Sequence, residues 1–224
     1  TIEFFIFANL RQQDLHAMIG LSNPRVLKRF IILMGLATFI MFSVWMMVHN
    51  YKGQTEGDYE VRRGDILLSD AKYEEAIQVF DEALARQPDH RGALSGQAVA
   101  LMGLENYVEA ESTLTYLINY LQRTLEQDDP TGRGALAAAF GNRGIIKDRV
   151  GRYQEALDDY IESARLDLDL AEGPGVVEQI LYYDKKPSSI LRRAEYLYKQ
   201  LKLPEPDRLM RIPVEDAKQR RYKP

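Results

Sequence analysis

The sequence predicts an all-α protein: a single transmembrane helix followed by an α-solenoid of about three to four helical hairpins. Two observations carry this. Residues 30–48 (FIILMGLATFIMFSVWMMV) form a nineteen-residue run without a charge, and from about residue 57 onward the chain matches itself at an offset of 34 residues. A third narrows the chemistry. The 224 residues contain no cysteine, which excludes disulfide staples, thiolate metal sites, iron–sulfur clusters and thiol nucleophiles.

Residues 1–29 come first. Phe4, Phe5, Phe7, Leu10, Leu15, Met18 and Ile19 alternate with Arg11, Gln12, Gln13 and Asp14, a mixture suited to a helix lying in a membrane interface or against a partner. Asn23 and Pro24 are expected to break it, because a proline disfavours helix at the residue before it.

Residues 30–48 are the transmembrane helix. At 1.5 Å per residue nineteen residues cover roughly 28 Å, close to the thickness of a bilayer's hydrocarbon core. A helix buried in a soluble core rarely stays apolar on all faces for that length. A cleaved signal peptide has a shorter apolar part ending in small residues, whereas this run exits through Trp45, Met46, Met47 and Val48. Phe30, Trp45 and Tyr51 are its expected interfacial anchors. Arg25, Lys28 and Arg29 crowd the entry and only Lys52 closely follows the exit, which favours a cytoplasmic N-terminus with the rest of the chain across the membrane.

After a polar linker at 49–56, repetition begins. Gly64 aligns with Ala98, Leu67 with Leu101, Tyr73 with Tyr107, Ala76 with Ala110 and Phe80 with Leu114; Phe140, Gly144, Gly151, Tyr153, Ala156 and Tyr160 carry a third copy. Small residues at Gly64, Ala98 and Gly144, and at Ala76, Ala110 and Ala156, let paired helices approach closely. Phe80, Leu114 and Tyr160 fill the space between layers. The units are expected at about 57–90, 91–124 and 137–170. Twelve extra residues separate the second and third copies, and they are expected to extend the second unit's second helix toward 136, with Asp128, Asp129 and Pro130 as its stop. A degenerate fourth unit is expected over 175–202, its first helix at 176–183 and its second from Ser188, the N-cap, with Ala194 and Tyr198 in the alanine and aromatic places. Pro204, Pro206 and Pro213 leave 203–224 as an extended basic tail.

The strings GDILLSDAKYEEAIQVFDEALARQP and GIIKDRVGRYQEALDDYIESA resemble the tetratricopeptide repeat, a 34-residue pair of antiparallel helices, with the register recurring three times over about half of the chain. The resemblance implies a concave groove lined by the first helices, placing there Val61, Asp65 and Leu68, then Ser95, Val99 and Met102, then Gly141, Ile145 and Asp148, with Asp58 at one end. Family members that grip a terminal carboxylate use a clamp of Lys, Asn and Arg. The matching places hold Val61, Asp65, Gly96, Ala138 and Asn142, four of which cannot serve. An apolar partner segment or this chain's own tail is the better occupant.

Charge is segregated. Residues 57–183 hold 12 Lys/Arg against 24 Asp/Glu, and residues 184–224 hold 12 against 6. The basic tail, with Arg220, Arg221 and Lys223, is expected to dock on another protein's acidic surface in preference to anionic lipid. The acidic balance argues against nucleic-acid binding. His16, His49 and His90 are the only imidazoles, and with the first two on opposite sides of the span they cannot share a metal. Asp128 beside Asp129 and Asp158 beside Asp159 are not acid–base pairs, since neighbours on a helix point apart and an exposed loop pair is solvated. No catalytic, cofactor or metal site is expected. The function expected is a non-catalytic scaffold or accessory subunit, anchored in the bacterial inner membrane with its repeats on the periplasmic side, binding other protein subunits of a respiratory, photosynthetic or secretory complex. The alternative is a transient assembly factor that receives client segments in its groove.

Overall fold

The computed structural model describes residues 24–52, 55–172 and 189–216, together with Gln219 and Arg221. The expectations for residues 1–23, for a helix at 176–183, and for Arg220 and Lys223 lie outside the described residues. The chain divides into two units, residues 1–54 and 55–224.

The described part of the first unit is one helix, α1 (Pro24–Lys52), of 29 residues. It starts earlier than the expected boundary at residue 30. Pro24 opens the helix because its missing N–H would have no partner in a first turn anyway and its fixed φ already suits a helix. Arg25, Lys28 and Arg29 therefore belong to the apolar helix itself. Every side chain from Lys28 to Val48 is exposed, including Phe30, Phe39, Trp45 and Met47. Phe42 and Trp45 stand ring to ring at 5.8 Å. The hydroxyl of Thr38 donates to the carbonyls of Met34 at 2.5 Å and Gly35 at 3.1 Å, so the helix satisfies that polar group internally.

The second unit is a succession of helical hairpins: α2 (Asp58–Ser69) with α3 (Tyr73–Arg86), α4 (Arg91–Gly103) with α5 (Tyr107–Thr124), and α6 (Pro130–Arg149) with α7 (Tyr153–Leu166). Each helix packs on the next along the chain, and the first helices α2, α4 and α6 also touch their counterparts in the neighbouring hairpins, the nearest-neighbour pattern of a solenoid. The packing code is the expected one. Ala76, Ala98, Ala110, Ala156, Phe80, Leu114 and Tyr160 have no accessible surface. A Cβ on Gly64 would stand 2.6 Å from Cζ of Phe80, and one on Gly144 would stand 2.7 Å from the Tyr160 ring; only a glycine admits these aromatic rings. Leu117, where the family's pattern has alanine, is also fully buried.

Each hairpin turns through three residues, and the middle one is left-handed every time: Ala71 (φ 56), Glu105 (φ 60) and Gly151 (φ 85). The following amides, of Lys72, Asn106 and Arg152, donate back to Leu67, Leu101 and Lys147 at 2.8–2.9 Å, closing each first helix with a Schellman-type bond.

The twelve extra residues are shared between two helices. α5 has 18 residues where α3 and α7 have 14, and α6 has 20 where α2 and α4 have 12 and 13. Residues 130–136 thus begin the third unit instead of extending the second. Asp129 is the reason: it caps α6, accepting from the Gly132 N–H at 2.7 Å, with Pro130 in the first turn.

A short helix α8 (Leu168–Glu172) follows, and then α9 (Ile190–Leu201). The cap of α9 is Ser189, whose Oγ accepts from the Arg192 N–H at 3.1 Å; Ser188 is not the cap. α9 packs on α7, the relation that a first helix bears to the hairpin before it, so it does not stand as the second helix of a fourth unit. Leu197 fills the core place, whereas Tyr198 is exposed beneath the Lys202 ammonium, 4.0 Å above its ring. A 3₁₀ turn (Glu205–Asp207) and α10 (Pro213–Asp216) break up the tail.

Candidate functional site

The groove predicted on the first helices is open at one end only. Val61, Asp65 and Leu68 on α2 keep part of their surface; Ser95, Val99 and Met102 on α4 and Gly141, Ile145 and Asp148 on α6 are buried. At Gly141 the cause is visible: a Cβ there would meet Cδ1 of Ile190 at 2.5 Å, so the first residue of α9 takes that space.

Asp148, expected at the groove's end, is the centre of a buried network. Arg193 of α9 grips it with two parallel hydrogen bonds, Nε to Oδ2 at 2.7 Å and Nη2 to Oδ1 at 2.8 Å. The Tyr160 hydroxyl donates to Oδ2 at 3.1 Å. Arg193 is 8% exposed and Asp148 2%, so the pair is held away from water, where charge-assisted bidentate bonds are strongest. Burial pushes the Arg193 pKa down, but the hydrogen bond and charge of Asp148, followed by the charge of Asp216, outweigh it and the net displacement is upward.

The same arginine holds the tail. Its Nη2 donates to the Met210 carbonyl at 2.9 Å, and Asp216 lies 3.6 Å from its Nη1. Met210 packs against the core, and the Arg211 guanidinium donates to the carbonyl of Arg149. Farther on, the Gln219 amide donates to the Tyr160 hydroxyl at 2.9 Å and faces Asp148 at 3.4 Å. Arg221 then reaches the first hairpin, its guanidinium 5.1 Å over the Tyr73 ring and its Nη2 2.9 Å from the phenol oxygen. The described part of the basic tail therefore lies on the array of its own chain. Of the three tail cations singled out in the sequence, Arg221 is described, and its acceptor is an aromatic ring and not a carboxylate.

Other candidates turn out to be architectural. His90 is buried and caps α4, its Nδ1 accepting from the Ala93 N–H at 3.3 Å and its Nε2 standing 3.0 Å from Asp58. Asp58 is thus a partner of this cap. Asp158 and Asp159 point apart as expected: Asp158 is exposed, while Asp159 is buried between Arg143 (2.7 and 2.9 Å) and Lys147 (2.8 Å). Asp129 accepts from Gly132 and from Arg91 at 2.6 Å, and these bonds, the backbone one foremost, hold its carboxyl below the usual range. Among the described residues no group of three or more metal-ligating side chains converges.

Sequence reasoning missed Arg193, Tyr73 and Gln219. Charge segregation marked the array as acidic and the tail as basic, but the partners lie 45 to 148 residues apart in the chain, beyond any local pattern.

The tetratricopeptide repeat family profile matches residues 67–137. No curated protein matches the sequence. Among solved structures the chain is similar to the first TPR of Spaghetti (RPAP3) bound to the HSP90 peptide SRMEEVD, with 16% identity over 65% of this chain and 93% of that one at a TM-score of 0.48. It is also similar to the Sgt2 TPR domain from Aspergillus fumigatus, with 17% identity over 67% and 87% at 0.46. A third likeness is to the first TPR domain of human RPAP3, with 18% identity over 62% and 95% at 0.43. The glycine, alanine and aromatic positions that pair the hairpins thus sit in a helical-hairpin array similar to tetratricopeptide repeats, the family whose model matches residues 67–137.

Proposed function

We propose that this protein is a membrane-anchored, non-catalytic scaffold: α1 crosses the bacterial inner membrane with the N-terminus in the cytoplasm, and the repeat array binds other protein subunits of a multi-subunit membrane complex on the periplasmic side. The observation that carries this reading is α1 itself. Large apolar side chains are exposed on all its faces, a surface that water penalises by about 25 cal/mol per Å² of apolar area and that a lipid bilayer accepts. The basic residues at its start support the orientation.

The natural absence of cysteine makes the test direct. Single cysteines at Ser69, an exposed position at the end of α2, and at Gln12 are probed with a membrane-impermeant maleimide. In spheroplasts Ser69→Cys reacts and Gln12→Cys reacts only after permeabilisation; the reverse pattern overturns the topology. Recovery of the chain in mild detergent as a lone monomer, with no co-purifying subunit, overturns the scaffold reading.

A further inference from the structure

The tail's seat on the array repeats an arrangement that the array builds for itself. At the end of α6, Arg149 lies 5.8 Å over the ring of Tyr107, and its Nη1 donates to the phenol oxygen at 3.0 Å. Tyr107 opens the second helix of one unit and Arg149 closes the first helix of the next. One unit earlier the equivalent residues are Tyr73 and Gly103. Gly103 has no side chain to offer, and a Cβ there would stand 2.8 Å from the Tyr73 ring. Tyr73 nevertheless carries an arginine. Arg221, from the far end of the chain, sits 5.1 Å over its ring with Nη2 2.9 Å from the oxygen, reproducing the Arg149–Tyr107 pair with a residue that no helix of the array supplies.

We propose that the Tyr73 ring, together with the Tyr160 hydroxyl that receives Gln219, is a docking surface for an extended, arginine-bearing segment of a partner protein, and that the chain's own tail occupies it until the partner arrives. Three features argue for this occupant. The tail already shows the chemistry of the fit: a planar cation on an aromatic face, a hydrogen bond to its phenol, and an amide donor to a second tyrosine. The array is acidic where the tail is basic, 12 Lys/Arg against 24 Asp/Glu over 57–183, which favours a cationic segment. Gln219 and Arg221 are themselves only partly buried on these seats, and a partly exposed cation–π contact such as that of Arg221 changes affinity about two- to fivefold, a hold that a competing segment can exchange. The proposal rests on the scaffold reading only for the existence of a protein partner.

The test uses the full chain in detergent and, as probe, a fluorescent synthetic peptide with the sequence of residues 203–224. Binding is read by anisotropy. Gln219→Ala combined with Arg221→Ala frees the seat in cis, and the peptide is expected to bind this variant at least fivefold more tightly than the wild type. Adding Tyr73→Leu cancels the gain with the helical circular dichroism signal unchanged. Replacing the peptide's own Arg221 by Ala weakens binding without altering the protein at all. Equal affinity for wild type and the tail variant, or indifference to the peptide's arginine, overturns the proposal. Concentration-dependent dimerisation of the wild type that Arg221→Ala abolishes assigns the seat to a second copy's tail and likewise overturns it. Peptide binding that survives while pull-downs return the chain alone would refute the scaffold reading and leave this surface standing.

Discussion

Removing Arg193 is expected to damage the array far more than removing both members of its ion pair. In Arg193→Ala the Asp148 carboxylate, 2% exposed in the intact protein, keeps the Tyr160 hydroxyl at 3.1 Å and the Gln219 amide at 3.4 Å but loses its cation. An uncompensated buried charge of this kind costs about 3–5 kcal/mol, a large fraction of the roughly 5–15 kcal/mol that holds a domain together. For a unit of this size, that corresponds to a fall in melting temperature of about 6–20 °C. In Asp148→Leu with Arg193→Met both charges leave together, their desolvation cost leaves with them, and most of the loss is expected to return. Denaturant unfolding of the full chain in detergent, followed by circular dichroism, measures the four corners of the double-mutant cycle made of the wild type, Asp148→Leu, Arg193→Met and the two together. A coupling of about 2 kcal/mol or more is expected. Losses that simply add would refute the reasoning, because they would mean that Arg193 acts through its packing stem alone. A second readout is the tail: since Arg193 also holds the Met210 carbonyl, trypsin should cut after Arg208 and Arg211 sooner in Arg193→Ala than in the wild type.

Three further outcomes follow from the packing and the caps. Gly64→Ala forces the Phe80 ring out of its place and should destabilise the first hairpin by about 1–3 kcal/mol, whereas Gly35→Ala, with nothing within 4 Å of its Cβ, should be neutral in the same thermal melts. Glu105→Gly relieves a left-handed residue at φ 60 and should raise stability by about 0.5–1 kcal/mol, after the extra chain entropy of glycine is subtracted from a strain of about 1–2 kcal/mol; no gain in the melting midpoint would refute the strain. The Asp129 carboxyl titrates lower folded than unfolded, so its contribution is complete above the unfolded value of about 4 and is lost as the pH falls through the folded value. Asp129→Asn keeps a capping side chain but loses the charge, so it should flatten that acid limb of stability against pH by lowering the curve near neutrality while leaving its acid end almost in place.

Local sequence was enough to determine the all-helical class, the apolar helix and the three-hairpin register. Each depends on short-range facts: a run without charge, a small residue opposite a large one, a 34-residue recurrence. Gly64 facing Phe80 and Gly144 facing Tyr160 were legible because a glycine at a fixed register position has one use in such a hairpin. Boundaries were less legible where two signals competed. Asp129 and Pro130 read in the sequence as the stop of one helix, and the Gly132 amide makes them the start of the next.

The candidate site was legible only in outline. The groove positions on α2 retain surface, but those on α4 and α6 are buried, because whether a helix face stays open depends on what the rest of the chain lays upon it. Asp148 as a buried acceptor, Arg193 as its partner, Ile190 against Gly141 and Arg221 on Tyr73 all join residues far apart in the chain. Such pairs leave no periodic trace, since a charge destined for a buried network and a charge left in water are spelled with the same letters. The sequence by itself determined which helices form and how neighbouring ones pair; the tertiary structure alone decided which of their faces remained available to a partner.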